Sequence, residues 1–194
     1  MISTKRKRVG LLALQGDFAM HRQAVTALGH ETVEIRTPAE LAGVDCLIMP
    51  GGETTTMCKL MVIEGFFGPI AEFGRNHPIM GTCAGLVLLS TETTGPDGGQ
   101  TLGLIDCATE RNAYGRQYYS FRDMGQIDLS NGGRPFEMVF IRAPKITRVG
   151  DGVEILGRLD NEPTMIRQGN VLAMTFHPEL AGDGAIHEYF LTQM

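Results

Sequence analysis

The sequence predicts an α/β fold: a single domain with a mostly parallel central sheet, helices on both faces and a strand-rich second half. Three observations lead there. Short apolar runs alternate with helical patterns through the first ninety residues or so, and such alternation belongs to parallel sheets covered on both sides. Beyond them, strand-like runs follow one another with few helices between. At 194 residues, 43% hydrophobic and 20% charged, the chain suits one well-cored domain rather than a disordered or membrane protein.

The elements read in order as follows. Met1 to Arg8 form a basic tail, and the domain spans 9–194. Val9 to Leu14 is too short for the apolar core of a signal peptide, and Gln15-Gly16-Asp17 is no cleavage site, so Val9–Gln15 reads as a buried first strand. Lys5 to Arg8 then read as solvated. Asp17–Leu28 has a helical pattern closed by Gly29. Thr32–Arg36 and Cys46–Met49 are strands, and Thr54–Asn76 is helical with a break near Gly65–Pro69. Pro78–Thr82 is a fourth strand that runs into a helix over Ala84–Thr91. The loop-rich "TTGPDGGQT" (93–101) is a surface excursion without the pattern of a phosphate-binding loop. Six strand-like runs follow, with Gln168-Gly169-Asn170 a tight hairpin turn between the last two. A helix closes the chain.

Composition excludes some functions. The net charge of −5 argues against a broad nucleic-acid surface. No apolar run approaches the roughly 20 residues of a membrane-spanning helix. The four cysteines, Cys46, Cys58, Cys83 and Cys107, form no C-x-x-C pair, which disfavours zinc and dithiol chemistry. Without a secretory signal, reduced thiols and a cytoplasmic location are expected. Cys46 and Cys107 sit in apolar runs as core residues, and Cys58 packs on a helix.

In open parallel sheets ligands gather beyond the carboxyl ends of the strands. That places attention on Gln15-Gly16, Gly51-Gly52-Glu53, Cys83 and His177-Pro178-Glu179. "GTCAG" puts Cys83 between glycines at a strand-to-helix turn, the logic of a nucleophile elbow with sulfur for oxygen. Small neighbours are needed there because a Cβ would strike adjacent strands, and a helix starting at Ala84 aims its free N–H groups at the thiol. The bland alternative is a small buried cysteine in a tight turn. Of five histidines, His21 and His187 fall in helical segments with packed or surface roles, and His30 and His77 look like turn residues. His177 ends an apolar run with Glu179 two positions on, where a carboxylate can orient the imidazole. Gly52 N–H and Ala84 N–H can form an oxyanion hole; alternatively, Thr54 or Thr55 merely caps a helix.

"LIMPGGETTTM", "GTCAGLVLL" and "TFHPEL" together resemble the class I (triad) glutamine amidotransferases, whose fold is flavodoxin-like. "GLLALQGDFAMH", "ERNAYGRQYYSF" and "VFIRAP" are similar to the signatures of the glutaminase subunits of pyridoxal 5′-phosphate synthase. The resemblance runs from about Val9 to the end. It implies that Cys83 attacks the side-chain amide of L-glutamine, with His177 as acid–base and Glu179 orienting it. It further implies a substrate site of Gly52, Glu53, Thr54, Arg111, Ile141 and Arg142, with Gly52 an oxyanion donor. No cofactor or metal is implied. The implied partner is the synthase subunit, in a hetero-oligomeric complex that uses the released ammonia to make the vitamin B6 coenzyme. Thr54 departs from the family's usual Ser but keeps a hydroxyl. Without the resemblance, Arg111 and Arg142 read as surface ion-pair residues. An independent cysteine hydrolase of related fold (γ-glutamyl hydrolase-like or of the DJ-1 type) and a non-catalytic binding subunit are the competing readings.

Overall fold

A computed structural model describes residues 5–95, 99–111, 113, 120–129 and 132–194. Most of "ERNAYGRQYYSF" and the middle of the 93–101 loop lie outside the described residues. The first half contains β1 (Arg8–Leu12), α1 (Phe18–Ala27), β2 (Glu31–Ile35), a 3₁₀ turn (Pro38–Gly43), β3 (Cys46–Met49), α2 (Thr54–Ile63), α3 (Phe67–Asn76), β4 (Ile79–Thr82) and α4 (Ala84–Leu89). The second half adds β5 (Ser90–Thr94), β6 (Ile105–Glu110), β7 (Ser120–Ile127), β8 (Arg134–Ile141), β9 (Lys145–Val149), β10 (Glu154–Leu159), β11 (Glu162–Gln168), β12 (Val171–Met174), a 3₁₀ turn (Pro178–Leu180) and α5 (Ala185–Gln193).

The main sheet has nine strands in the order β2-β1-β3-β4-β12-β11-β10-β7-β8. Its β2-to-β12 half is parallel, and its β12-to-β8 half is antiparallel. The strand-rich second half therefore makes the sheet mixed, with the parallel part confined to the α/β alternation. A separate three-stranded sheet, β5-β6-β9, packs beside it.

The inner parallel strands β1, β3, β4 and β12 are buried on both faces, which explains why they read as largely apolar runs, whereas the edge strand β2 is half-buried. Along β1 and β3 successive side chains serve opposite cores. Val9, Leu11, Cys46 and Ile48 pack with Val25 of α1 and Ile186 and Phe190 of α5. Leu12, Leu47 and Met49 pack with Met57 and Met61 of α2, Ile70 of α3 and Leu86 of α4.

Three local expectations change. Arg8 is not tail but the first residue of β1: its N–H donates to Asp45 Oδ2 at 2.6 Å. Lys7 is likewise held, its N–H donating to His30 Nδ1 at 3.0 Å. The helix after Cys83 stops at Leu89 rather than Thr91, because Ser90 takes an extended backbone and starts β5 beside β6. The hairpin at Gly169-Asn170 is as expected: Gln168 pairs with Val171, and Gly169 takes a φ of +56°.

Candidate active site

Four parallel strands, β1, β3, β4 and β12, end on one edge of the sheet, and the turn after each contributes to one cavity of about 340 Å³. Its lining includes Gln15 and Gly16 after β1, Gly51, Gly52, Glu53 and Thr54 after β3, Cys83 after β4, and His177 beyond β12. Arg111, Ile141 and Arg142 complete it from the second half of the chain. The turns that the strand-end rule singled out and every expected substrate residue lie in this one cavity.

Cys83 occupies a strained turn, with φ +49° and ψ −101°. Only glycine adopts a positive φ freely, so a cysteine holds it here because the surroundings leave no alternative. The two flanking glycines are required for different reasons. A Cβ on Gly85 would come within 2.2 Å of the Met49 carbonyl oxygen on neighbouring β3, as the elbow argument anticipates. A Cβ on Gly81 would instead meet Leu89 at 2.4 Å and the Gly85 backbone at 2.7 Å, so that glycine seats the strand against its own helix rather than a neighbouring strand. Arg142 is a second non-glycine residue with a positive φ, +44°, and it faces the same cavity.

β4 and β12 pair directly, Thr82 opposite Met174, and the Cys83 N–H extends the ladder to Met174 O at 2.9 Å. The chain leaving β12 then brings His177 to the sulfur. The His177 N–H donates to Val139 O at 2.8 Å, which ties it to β8. His177 is 4% exposed, and its imidazole lines the cavity together with Cys83. Its Nδ1 lies 2.8 Å from Glu179 Oε1. Gly51 makes room for the ring, since a Cβ there would stand 2.3 Å from His177 Cε1. Burial works against a charge on His177, but its interactions with Cys83 and Glu179 outweigh it, raising its pKa to about 10. Burial likewise opposes the Glu179 carboxylate, yet the neighbouring imidazoles of His21 and His177 hold its pKa below the ordinary value. The Cys83 thiol also points at Ile141 O, 3.9 Å away.

The helix start after β3 differs from the bland reading. Glu53, not Thr54 or Thr55, is the N-cap of α2, its carboxylate accepting from Thr55 N–H at 3.0 Å and Thr56 N–H at 2.7 Å. A hydrogen bond from the Thr56 side chain leads the causes that bring its pKa down to about 2, with the two backbone N–H groups adding to it against burial. Arg111 reaches across to this cap, donating to Thr55 Oγ1 at 2.8 Å and lying 3.6 Å from Glu53 Oε1. Arg142 is exposed to the cavity, and among the described residues no hydrogen bond or ion pair engages it. Gln15 has a role that the sequence did not reveal: its Oε1 accepts the Glu53 N–H at 2.9 Å. The Asp17 N–H donates to Gly51 O at 3.1 Å, which fixes how the Gly51–Gly52 peptide is turned. Among the described residues neither the Gly52 N–H nor the Ala84 N–H is spent on another hydrogen bond.

Cys46 and Cys107 are fully buried, and burial pushes both thiols up to about 12. Cys58 lies half-buried on α2. Among the described residues no helix is long and apolar enough to cross a membrane.

A model of the SNO glutamine amidotransferase family matches residues 11–194. A pyridoxal 5′-phosphate synthase subunit PdxT from Pelotomaculum thermopropionicum is 47% identical, covering 95% of this chain and 93% of its own. The protein of that name from Solibacter usitatus is 45% identical over 97% of this chain and all of its own. A crystal structure of a glutamine amidotransferase superposes with a TM-score of 0.88 at 43% identity, covering 96% of this chain and 99% of that one. PurLQS from Thermotoga maritima, 16% identical with a TM-score of 0.74, shares the fold.

Proposed function

The chain belongs to the SNO glutamine amidotransferase family, and on that premise we propose that it is the glutaminase subunit of a pyridoxal 5′-phosphate synthase. It hydrolyses L-glutamine in the cytoplasm and passes the ammonia to a synthase subunit. The observation that carries this reading is that Cys83 and His177 line one cavity, with His177 Nδ1 held 2.8 Å from the buried Glu179 carboxylate behind it.

In this reading His177, with its raised pKa, already holds the proton that Cys83 gives up, and the sulfur attacks the side-chain carbonyl carbon of glutamine. Negative charge develops on the carbonyl oxygen, where the unspent N–H groups of Gly52 and Ala84 are the donors; one such donor is worth about 3–4 kcal/mol. Collapse of the tetrahedral species breaks the C–N bond as His177 protonates the leaving nitrogen. A γ-glutamyl thioester and ammonia result. His177 then takes a proton from water, whose oxygen displaces the sulfur to give glutamate. Glu179 keeps the imidazole oriented throughout. Arg142, which lines the cavity, meets the substrate's α-carboxylate in this reading, a planar fork being well matched to a carboxylate. Arg111 supports the wall that Glu53 and Thr55 build.

Ammonia released without an acceptor is lost, which favours a site completed only by the partner. The Gly51–Gly52 peptide is suited to this. Its carbonyl is held by the β1 turn, and Asp17 in that turn is exposed at the cavity mouth, so a partner seated there can reset the oxyanion donor. Titrating the synthase subunit against ammonia release at saturating glutamine tests the proposal. A rise of roughly 10²–10³-fold is expected from one donor brought into place. Amide-¹⁵N glutamine should deliver its label to the product. Full activity of the chain alone, unmoved by synthase, would favour the independent-hydrolase reading instead.

A further inference from the structure

Behind the Cys83–His177–Glu179 line lie two histidines that the mechanism does not use. His21, on α1, is fully buried, and His187, on α5, is 1% exposed. His21 Nδ1 lies 3.0 Å from His187 Nε2. Its other nitrogen, Nε2, lies 3.3 Å from Thr82 Oγ1 and 3.4 Å from Glu179 Oε2. Glu179 Oε2 is buried and has no conventional hydrogen bond among the described residues, and the same is true of His187 Nδ1. We propose that His21 is a positioning residue for the glutaminase reaction: as its Nε2–H tautomer, set by His187, it supplies the second donor to Glu179 and completes a relay Cys83–His177–Glu179–His21–His187.

The tautomer follows from which atoms can tolerate being left bare. If His21 carried its proton on Nδ1, its Nε2 lone pair would face the buried Glu179 carboxylate, and His187 would bury a protonated Nδ1 with no acceptor. With the proton on Nε2, His21 offers an N–H shared between Thr82 and Glu179. His187 then donates from Nε2 to His21 Nδ1, and only its Nδ1 lone pair goes unmatched. An unmatched acceptor on a neutral ring is a smaller defect than a carboxylate facing a lone pair.

Both rings are neutral in this arrangement. Burial, the largest influence on His21, lowers its pKa; Glu179 and Asp17 act to raise it, and His177 lowers it further. His187 is lowered to about 3 by burial first and by His21 next, against Glu179. The groups facing His21 are thus Asp17 just before its own helix, Thr82 of β4, His177 and Glu179 after β12, and His187 of α5. Its effect on Glu179 is that of an oriented N–H dipole, not of a full positive charge. At 3.4 Å the contact is long, as catalytic hydrogen bonds often are before substrate tightens the site. Thr82 immediately precedes Cys83, so the same imidazole joins the elbow to the acid.

The inference rests on the glutaminase reading of the site, and the test separates the two. In the full-length wild-type chain, ¹⁵N-histidine correlation spectra should show His21 and His187 neutral at pH 7, both protonated on Nε2. A proton on Nδ1 of His21, or a charged ring, overturns the proposal whatever any variant does. In complex with the synthase subunit, His21→Phe removes the donor and keeps a ring of similar bulk. It should lower kcat for ammonia release about 10- to 100-fold, the range seen for outer partners of metal ligands, with KM for glutamine little changed. The acidic limb of kcat/KM should move up by about one pH unit, because Glu179 loses a donor to its charged form. His21→Gln, which can place an amide N–H where Nε2 stood, should recover most of both effects. Equal losses in the two variants with no movement of the pH limb would reduce His21 to packing, and unchanged kcat in His21→Phe would also end the proposal. A wild type that releases no ammonia fails the glutaminase reading itself, and the inference with it.

Discussion

Gly85 and the Met49 carbonyl stand so close that the first turn of α4 rests directly on the backbone of β3. A methyl group at residue 85 would lie 2.2 Å from that oxygen, and neither partner can turn aside as a side chain would. The elbow that presents Cys83 is therefore held by contact between two backbones.

Gly85→Ala should accordingly lower the melting temperature, since overpacking typically costs about 1–3 kcal/mol. It should also depress Cys83 reactivity by displacing the start of α4. Gly68→Ala is the control. Gly68 lies in α3 with no atom near its missing Cβ and no positive φ, so alanine should be neutral or stabilising by up to about 1 kcal/mol. Equal melting temperatures for wild type and Gly85→Ala would remove the backbone contact from the account of the elbow.

A diazo-ketone analogue of glutamine should label Cys83 alone among the four cysteines, as read by peptide mass mapping. Cys46 and Cys107 are buried with thiols pushed up to about 12. Cys58 is the informative comparison, being more exposed than Cys83 but away from His177. Labelling of Cys58 at the same rate would show that accessibility, not the elbow, governs reaction.

His177→Ala should abolish turnover, because both proton transfers pass through it. Glu179→Gln should lose less, with the ~10⁴-fold loss for the corresponding change in a serine protease as the upper guide. A pH effect on stability accompanies this. His177 has a pKa of about 10, above the ordinary imidazole value of 6.5. Its stabilisation is therefore fully present below pH 6.5 and is lost as pH rises through 10. Glu179→Gln removes one of the causes, so its melting temperature should fall less across that range. Parallel curves for the two proteins from pH 6 to pH 10 would contradict the coupling.

The two arginines should separate kinetically. Arg142→Ala should weaken glutamine binding about 10- to 100-fold, the loss of one charged hydrogen bond of ~1.5–3 kcal/mol, while a small uncharged alkylating agent still reacts with Cys83. Arg111→Ala should weaken binding and also lower stability, because Arg111 supports Thr55 and the Glu53 cap. If glutamine binding survives both changes, the cavity wall they form is not the substrate's.

The sequence by itself determined the parallel half of the sheet, the four turns at its strand ends, and the candidate triad. Each has a local signature: alternating strand and helix patterns, glycines where a Cβ would strike backbone, and a histidine and glutamate two positions apart. Tertiary structure decided what those signatures leave free. Thr54 and Thr55 are adequate caps in isolation, and the Gln15 side chain meeting the Glu53 N–H belongs to the arrangement in which Glu53 takes that place instead. Arg111 reads from its local sequence as a surface ion-pair residue until the fold brings it over that cap, 56 residues away from Thr55. His21 and His187 read as ordinary helical residues because 166 positions separate them, and a hydrogen bond across that distance leaves no periodicity in either helix. Local patterns report which backbone a residue prefers. The partner that a buried polar group finds depends on which elements the sheet order places on the same face, and here α1 and α5 share the face behind Glu179.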